Sequence, residues 1–331
     1  MSLCAQLAFF AAITAALLLP ASALAQSLVV PSGLTLTVSP QYPTPYGEVL
    51  ITPLSTTFDL VNASYTLSAN GNVVYRGNAK PFAVALGAAG SVTSVKAMVT
   101  GSGGSVSQSI SIRPQDVALV AEPLSSVPPL YPGKALVPLE GSVRVVAVAN
   151  LRSKAGKQVD PSALSYDWTL DGTELAGSSG IGKSSITVAS PLQYRAGRVS
   201  VVVKSQDGAL ASGDLLSLTP VEPSVRVYED DPLLGVRFER ALAGSYALAG
   251  AETTLYAVPY SFPLALGAPV LHWFLNGSAA QTGDFVTLRP TGSGGGSANV
   301  SLTATAGDFA RASAVLSLTF NANASATLFG L

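Results

Sequence analysis

Three copies of one short hairpin constrain this chain more than any other feature. The fullest copy is Ser165-Tyr166-Asp167-Trp168-Thr169-Leu170-Asp171-Gly172. A second reads Val270-Leu271-His272-Trp273-Phe274-Leu275-Asn276-Gly277, and a weaker one Ser64-Tyr65-Thr66-Leu67-Ser68-Ala69-Asn70-Gly71. They recur at steps of 101 and 105 residues. Side chains alternate across a strand, so Tyr166, Trp168 and Leu170 share one face, as do Leu271, Trp273 and Leu275. These six are the predicted structural core. The matching trio Tyr65, Leu67 and Ala69 is smaller, which makes the first module the expected weakest. Asn-Gly or Asp-Gly closes each copy because both residues tolerate positive φ in a tight hairpin turn.

The repeat divides the chain into modules at residues 33–114, 115–220 and 221–320, with a leader at 1–25 and a tail at 321–331. Each module holds six or seven short alternating runs bounded by Gly, Pro, Asn and Asp, the spacing of an immunoglobulin-like β-sandwich. The expected fold class is therefore all-β, three tandem sandwiches after an N-terminal signal peptide. Leu7 to Leu19 is an apolar run ending at Pro20, and Ala23-Leu24-Ala25 fits a small-x-small cleavage site before Gln26. No Lys or Arg precedes that run, which leaves an uncleaved membrane anchor as the alternative. The one cysteine, Cys4, lies in this leader, so no disulfide staples the modules. Charged residues are 11% and the net charge is -1, which excludes a nucleic-acid footprint.

Several stretches together carry a resemblance: Tyr131-Pro132-Gly133-Lys134-Ala135-Leu136, Glu140 to Ala147, the Tyr166–Gly172 hairpin, Gly180 to Ser184, Tyr228 to Gly235, and Ala257 to Phe262. With these, the chain resembles bacterial secreted proteins built from tandem PKD-like and Ig-like β-sandwich modules, of the type found in small-genome candidate phyla. The resemblance covers nearly the whole chain after the leader. It implies surface exposure and work beside pili or secretion machinery, and it carries no catalytic residues.

Gly177 to Ser184 matches the phosphate-loop spacing G-x-x-x-x-G-K-S. The β-branched run Ser185 to Val188 and then Pro191 follow where a helix would have to start, so nucleotide binding is not expected. The one histidine, His272, alternates with Trp273 and should face outward; with no companion it makes neither a triad nor a metal site. Glu229-Asp230-Asp231 with Glu222 could hold calcium at the joint between modules two and three. Tyr131, Tyr256, Tyr260 and Phe262 lie in the most aromatic loops, where rings could stack on a sugar or anchor a partner. The leading expectation is a non-enzymatic, exported structural or adhesive protein at the cell surface or outside it. It would meet other surface or envelope proteins, pilus or secretion components among them, and touch membrane only through an uncleaved leader. The alternative is a carbohydrate-binding or accessory module set of an extracellular complex, discriminated by sugar binding lost on Tyr260→Ala.

Overall fold

A computed structural model describes residues 33–56, 59–102, 104–129, 131–248, 252–291 and 295–321. The leader, with Cys4 and the cleavage pattern, and tail residues 322–331 lie outside the described residues. Among the described residues no helix is long and apolar enough to cross a membrane.

Module one runs through β1 (Leu34–Ser39), β2 (Glu48–Ser55), β3 (Ser64–Ala69), β4 (Asn72–Asn78), β5 (Phe82–Ala85), β6 (Thr93–Gly101) and β7 (Gly104–Ile112). One sheet has the order β1-β2-β5 and the facing sheet β4-β3-β6-β7. Module two repeats this with β8 (Asp116–Pro123), β9 (Ser142–Asn150), β10 (Ser165–Leu170), β11 (Thr173–Glu174), β12 (Gly180–Ile181), β13 (Ser185–Ala189), β14 (Gly197–Lys204) and β15 (Ala211–Leu218). Its sheets are β13-β9-β8 and β11-β10-β14-β15, with β12 also on β10. Module three has β16 (Ser224–Asp231), β17 (Gly235–Val236), β18 (Gly244–Leu248), β19 (Thr253–Tyr260), β20 (Val270–Leu275), β21 (Ser278–Thr282), β22 (Phe285–Leu288), β23 (Gly295–Ala306) and β24 (Ala310–Asn321). Its sheets are β17-β16-β19-β22 and β18-β24-β23-β20-β21. The chain is thus three tandem immunoglobulin-like sandwiches, each with its own buried core.

Module three departs from the expected strand set. After β17 the chain crosses to the second sheet, where β18 runs parallel to β24, Gly244 opposite Leu316 and Leu248 opposite Phe320. That extra strand covers an edge that would otherwise present unpaired backbone groups. Residues 292–294 lie outside the described residues, and Gly295 already opens β23 opposite Asn321.

The three hairpin turns are copies of one another. Asn70 and Gly71 have φ of 50° and 85°, Asp171 and Gly172 50° and 81°, and Asn276 and Gly277 51° and 83°. Two successive left-handed residues make the turn whose twist matches that of the strands. The Asn or Asp does more than tolerate positive φ. Its side-chain oxygen accepts the backbone N–H of the neighbouring strand: Ser94 to Asn70 at 2.9 Å, Arg198 to Asp171 at 2.7 Å, Asn299 to Asn276 at 2.8 Å. Each hairpin is thereby tied to the long strand beside it.

Trp168 and Trp273 fill the space between their sheets and are essentially without solvent contact. Each indole N–H finds a backbone carbonyl on a loop, Lys183 at 2.8 Å and Gly283 at 2.9 Å. The phosphate-loop lookalike is therefore the seat of an indole. Its residues form a 3-10 turn (Ala176–Ser178) and the two-residue β12 before β13, and the Lys183 ammonium donates back to the Gly177 carbonyl at 3.3 Å.

Module one has Leu67 where the others have tryptophan, and Tyr75 and Phe82 add rings beside Tyr65, with centroids 6.0 and 5.1 Å apart along the series. The Tyr166 hydroxyl donates to the Pro161 carbonyl at 3.0 Å. Its counterpart, the buried Tyr65 hydroxyl, has no hydrogen-bond partner among the described residues. Burial, and secondarily Tyr75, pushes the Tyr65 pKa up to about 12 from 10.0. A raised folded-state pKa contributes stability that is complete below pH 10.0 and is lost as pH rises toward about 12. Tyr65→Phe removes both the stranded hydroxyl and this titration. It should raise the stability of module one by about 1 kcal/mol and flatten its alkaline loss, read by denaturant melts followed across that pH range. A destabilised variant would contradict the assignment.

Module two opens, just past its joint with module one, on buried polar groups paired within the module. Gln115, 2% exposed, donates its amide to the Arg152 carbonyl at 2.9 Å and accepts the Arg152 N–H at 2.6 Å. Its own carbonyl accepts the buried Ser212 hydroxyl at 3.3 Å. Gly90 of module one donates its N–H to Pro114 at 2.9 Å and has φ of +80°. A Cβ there would sit 2.7 Å from the Ser153 carbonyl oxygen and 2.8 Å from that of Arg152, so only glycine allows this approach. Arg152 thus takes part in the joint through its backbone carbonyl.

Candidate functional site

The second joint carries a surface cleft. The proline-rich loop after β8 crosses to module three and pairs with it as a short antiparallel ladder. Ser126 N–H donates to Phe262 at 2.8 Å, Ser261 N–H to Ser126 at 2.9 Å, and Leu264 N–H to Leu124 at 3.0 Å. The Ser126 hydroxyl accepts Phe262 N–H at 3.0 Å and donates to the Pro259 carbonyl at 3.2 Å. Ser125, also buried, donates its hydroxyl to the Leu136 carbonyl at 2.7 Å. In the linker, Val221 N–H donates to Val137 at 2.9 Å. The loop is short of backbone N–H groups because of its prolines, and these serines supply the missing donors.

Strand alternation sets the floor of the cleft. Val225 and Val227 of β16 point into the core, so Arg226 and Tyr228 face out; on β19, Leu255 and Ala257 point in and Tyr260 faces out. Tyr131, on the crossing loop and 41% exposed, meets Tyr260 edge to face with centroids 5.9 Å apart. The Tyr260 and Tyr228 hydroxyls are hydrogen-bonded at 2.9 Å, and Tyr228 packs on Phe238 at 5.4 Å. Burial, then the Tyr228 hydrogen bond, raises the Tyr260 pKa, so its hydroxyl stays protonated at neutral pH. Lys134, Arg226, Glu222 and Ser224 complete a cleft of about 330 Å³. Among the described residues neither Arg226 nor Lys134 has an ion-pair partner. The Glu222 carboxylate accepts the Gln193 amide at 2.8 Å.

Of the four aromatic residues singled out by sequence, the structure brings Tyr131 and Tyr260 together. Phe262 is fully buried in the module-three core and cannot meet a ligand. Tyr256 lies in β19 opposite Tyr228 and Phe285, where burial and then Asp284 and Asp230 raise its pKa. These residues do not form one loop, because β19 extends through Tyr260. The residues that sequence reasoning passed over are Arg226, Tyr228 and the serines of the ladder. Arg226 and Tyr228 share the outward face of β16 by simple alternation, a signal that identifies them once that strand is drawn.

The structure does not gather the carboxylates expected to hold calcium. Among the described residues no group of three or more His, Cys, Asp or Glu side chains could hold a metal ion. Glu229, Asp230 and Asp231 belong to β16, not to a loop after it, so alternation sends Asp230 to the face opposite the other two. The Asp231 carboxylate accepts Leu233 and Leu234 N–H at 2.8 and 3.0 Å, which holds its pKa below the usual range. Glu229 takes the Tyr246 hydroxyl, whose pKa is pushed up to about 12 by burial and by that bond. Glu222 is turned to Gln193. His272 is exposed on β20, with Thr282 as its hydrogen-bond partner at 3.2 Å.

No family model matches this chain. No curated protein matches it either. Among solved structures, it is similar to the Sidekick-1 immunoglobulin domains 1-5, at 12% identity and a TM-score of 0.30, covering 87% of this chain and 58% of that one. The chain thus spans somewhat over half the length of that neighbour. The three N-terminal domains of the bacteriophage RB49 Highly Immunogenic Outer Capsid protein align at 14% identity and a TM-score of 0.24, covering 86% of this chain and 98% of that one. A Bacteroides ovatus SGBP-B structure in complex with mixed-linkage heptasaccharide aligns at 12% identity and a TM-score of 0.22, covering 87% and 70%. The fold assignment rests on the sheet order and register described above.

Proposed function

We propose that this chain is a non-enzymatic, exported structural or adhesive protein that works through protein–protein contacts as a stiff three-module shaft. The observation that carries this reading is the ladder across the second joint, where the Ser126 N–H and carbonyl pair with Phe262 and Ser261 and the Ser126 hydroxyl bonds the Phe262 N–H and the Pro259 carbonyl. Polar groups taken out of water cost stability unless paired, so these bonds across the joint define a specific inter-module geometry. A flexible string of modules has no use for such contacts. The apolar leader supports export, and the resemblance to tandem-module secreted proteins supports an envelope or pilus setting. Antibody labelling of intact cells combined with in situ cross-linking tests the reading. Surface labelling and a cross-linked envelope protein are expected; confinement to the cytoplasm would overturn it.

A second reading, carbohydrate binding, is favoured by one feature, the tyrosine-lined cleft at the second joint. Exposed aromatic edges beside hydroxyl and cationic donors are what a sugar ring with an apolar face and a polar rim requires.

A further inference from the structure

We propose that the cleft between modules two and three binds an acidic glycan, with a hexuronic acid as the unit recognised. This rests on the carbohydrate reading above and narrows it by charge. The cleft of about 330 Å³ is at the small end of ligand cavities, the size for a short saccharide segment. Tyr131 and Tyr260 stand edge to face, so one ring offers a wall and the other a floor to the C–H face of a pyranose.

Around them the polar groups are donors. The Tyr228 and Tyr260 hydroxyls share one hydrogen bond, which leaves one of their two protons to donate elsewhere. Arg226 presents a planar fork suited to a carboxylate, and Lys134 adds a second positive charge from the opposite module. The acid among the lining residues, Glu222, already accepts the Gln193 amide at 2.8 Å. The lining is therefore net positive. A neutral sugar would leave both cations unused, while a peptide carboxylate would use them and leave the two tyrosine rings without a matching ring face. Tyr131 and Lys134 come from module two, and Arg226 and Tyr260 from module three. The site exists only while the joint is closed.

Titration calorimetry on the full chain tests this with oligogalacturonate, oligoglucuronate and oligomannuronate, each against its carboxyl-reduced counterpart. An acidic oligomer should bind, and its reduced form should bind at least about tenfold more weakly, the loss expected for a charge-assisted hydrogen bond. Arg226→Gln should cause a similar loss with no change in melting temperature, since Arg226 is exposed. Lys134→Gln should lower the affinity too, and added salt should weaken binding. Equal binding of acidic and reduced oligomers would overturn the charge inference and leave the carbohydrate reading standing. Binding of no oligomer would overturn both. Arg226-dependent capture of a peptide ending in a free carboxylate, with no sugar bound, would replace the glycan by a peptide.

Discussion

Trp168→Ala is expected to destabilise module two by about 3–5 kcal/mol, the usual cost of emptying a large aromatic site in a packed core. Trp168 is among the largest fully buried side chains of the described residues, in one core cluster with Val145 and with its cross-strand partner Val201. Its removal opens a cavity between the sheets. It also strands the Lys183 carbonyl, which accepts the indole N–H at 2.8 Å. The chain has two tryptophans, so in this variant Trp273 alone reports fluorescence, and it reports module three. Hydrogen exchange should show loss of protection in β9, β10 and β14, while the fluorescence melt of module three moves far less. Trp168→Phe, which keeps most of the volume and loses the N–H, should fall between wild type and Trp168→Ala. Unchanged exchange in module two would mean that the tryptophan is not its core.

Gln115→Ala should cost about 3 kcal/mol in module two, beside the first joint. The substitution removes one donor and one acceptor together and leaves the Arg152 N–H and carbonyl without their partners, each such group costing about 1–3 kcal/mol when buried. The effect should appear as a lowered melting transition of module two. Gln115→Glu keeps the acceptor for Arg152 N–H and loses the donor, so it should be intermediate. Gly90→Val attacks the first joint itself. It forces a β-branched residue to φ of +80° and drives its Cβ against two carbonyl oxygens at 2.7 and 2.8 Å. Gly90→Val should uncouple modules one and two while leaving each sandwich folded. A single cooperative transition in that variant would mean that the joint contributes nothing.

The sandwich was legible in the sequence because its signals are local. Asn70-Gly71, Asp171-Gly172 and Asn276-Gly277 are adjacent residues, and the pins beside them alternate within a six-residue strand. What was not legible depends on partners far along the chain. The hydroxyl that closes the second joint, on Ser126, meets Phe262 136 residues away, and Gln115 meets Arg152 37 residues away. Serine and glutamine carry no local mark of such a role. The parallel strand β18 was missed for the same reason, since its five residues are strand-forming only against β24, some seventy positions on. Asp231 ends a strand because its carboxylate caps the turn that follows, a role that depends on Leu233 and Leu234 N–H. Half of the cleft was visible, as tyrosines near proline. The other half, Arg226 and Tyr228, needed the strand register.

Both the shaft and the two-module cleft require that the joints hold one geometry. A pair of spin labels tests this most directly, with Cys4 replaced by Ser and cysteines placed at the exposed positions Lys96 in module one and Ser313 in module three. Double electron–electron resonance should give one narrow distance distribution in the otherwise unchanged chain, broadened by Gly90→Val. A broad distribution before any joint residue is altered, as for modules on free linkers, would contradict the stiff shaft.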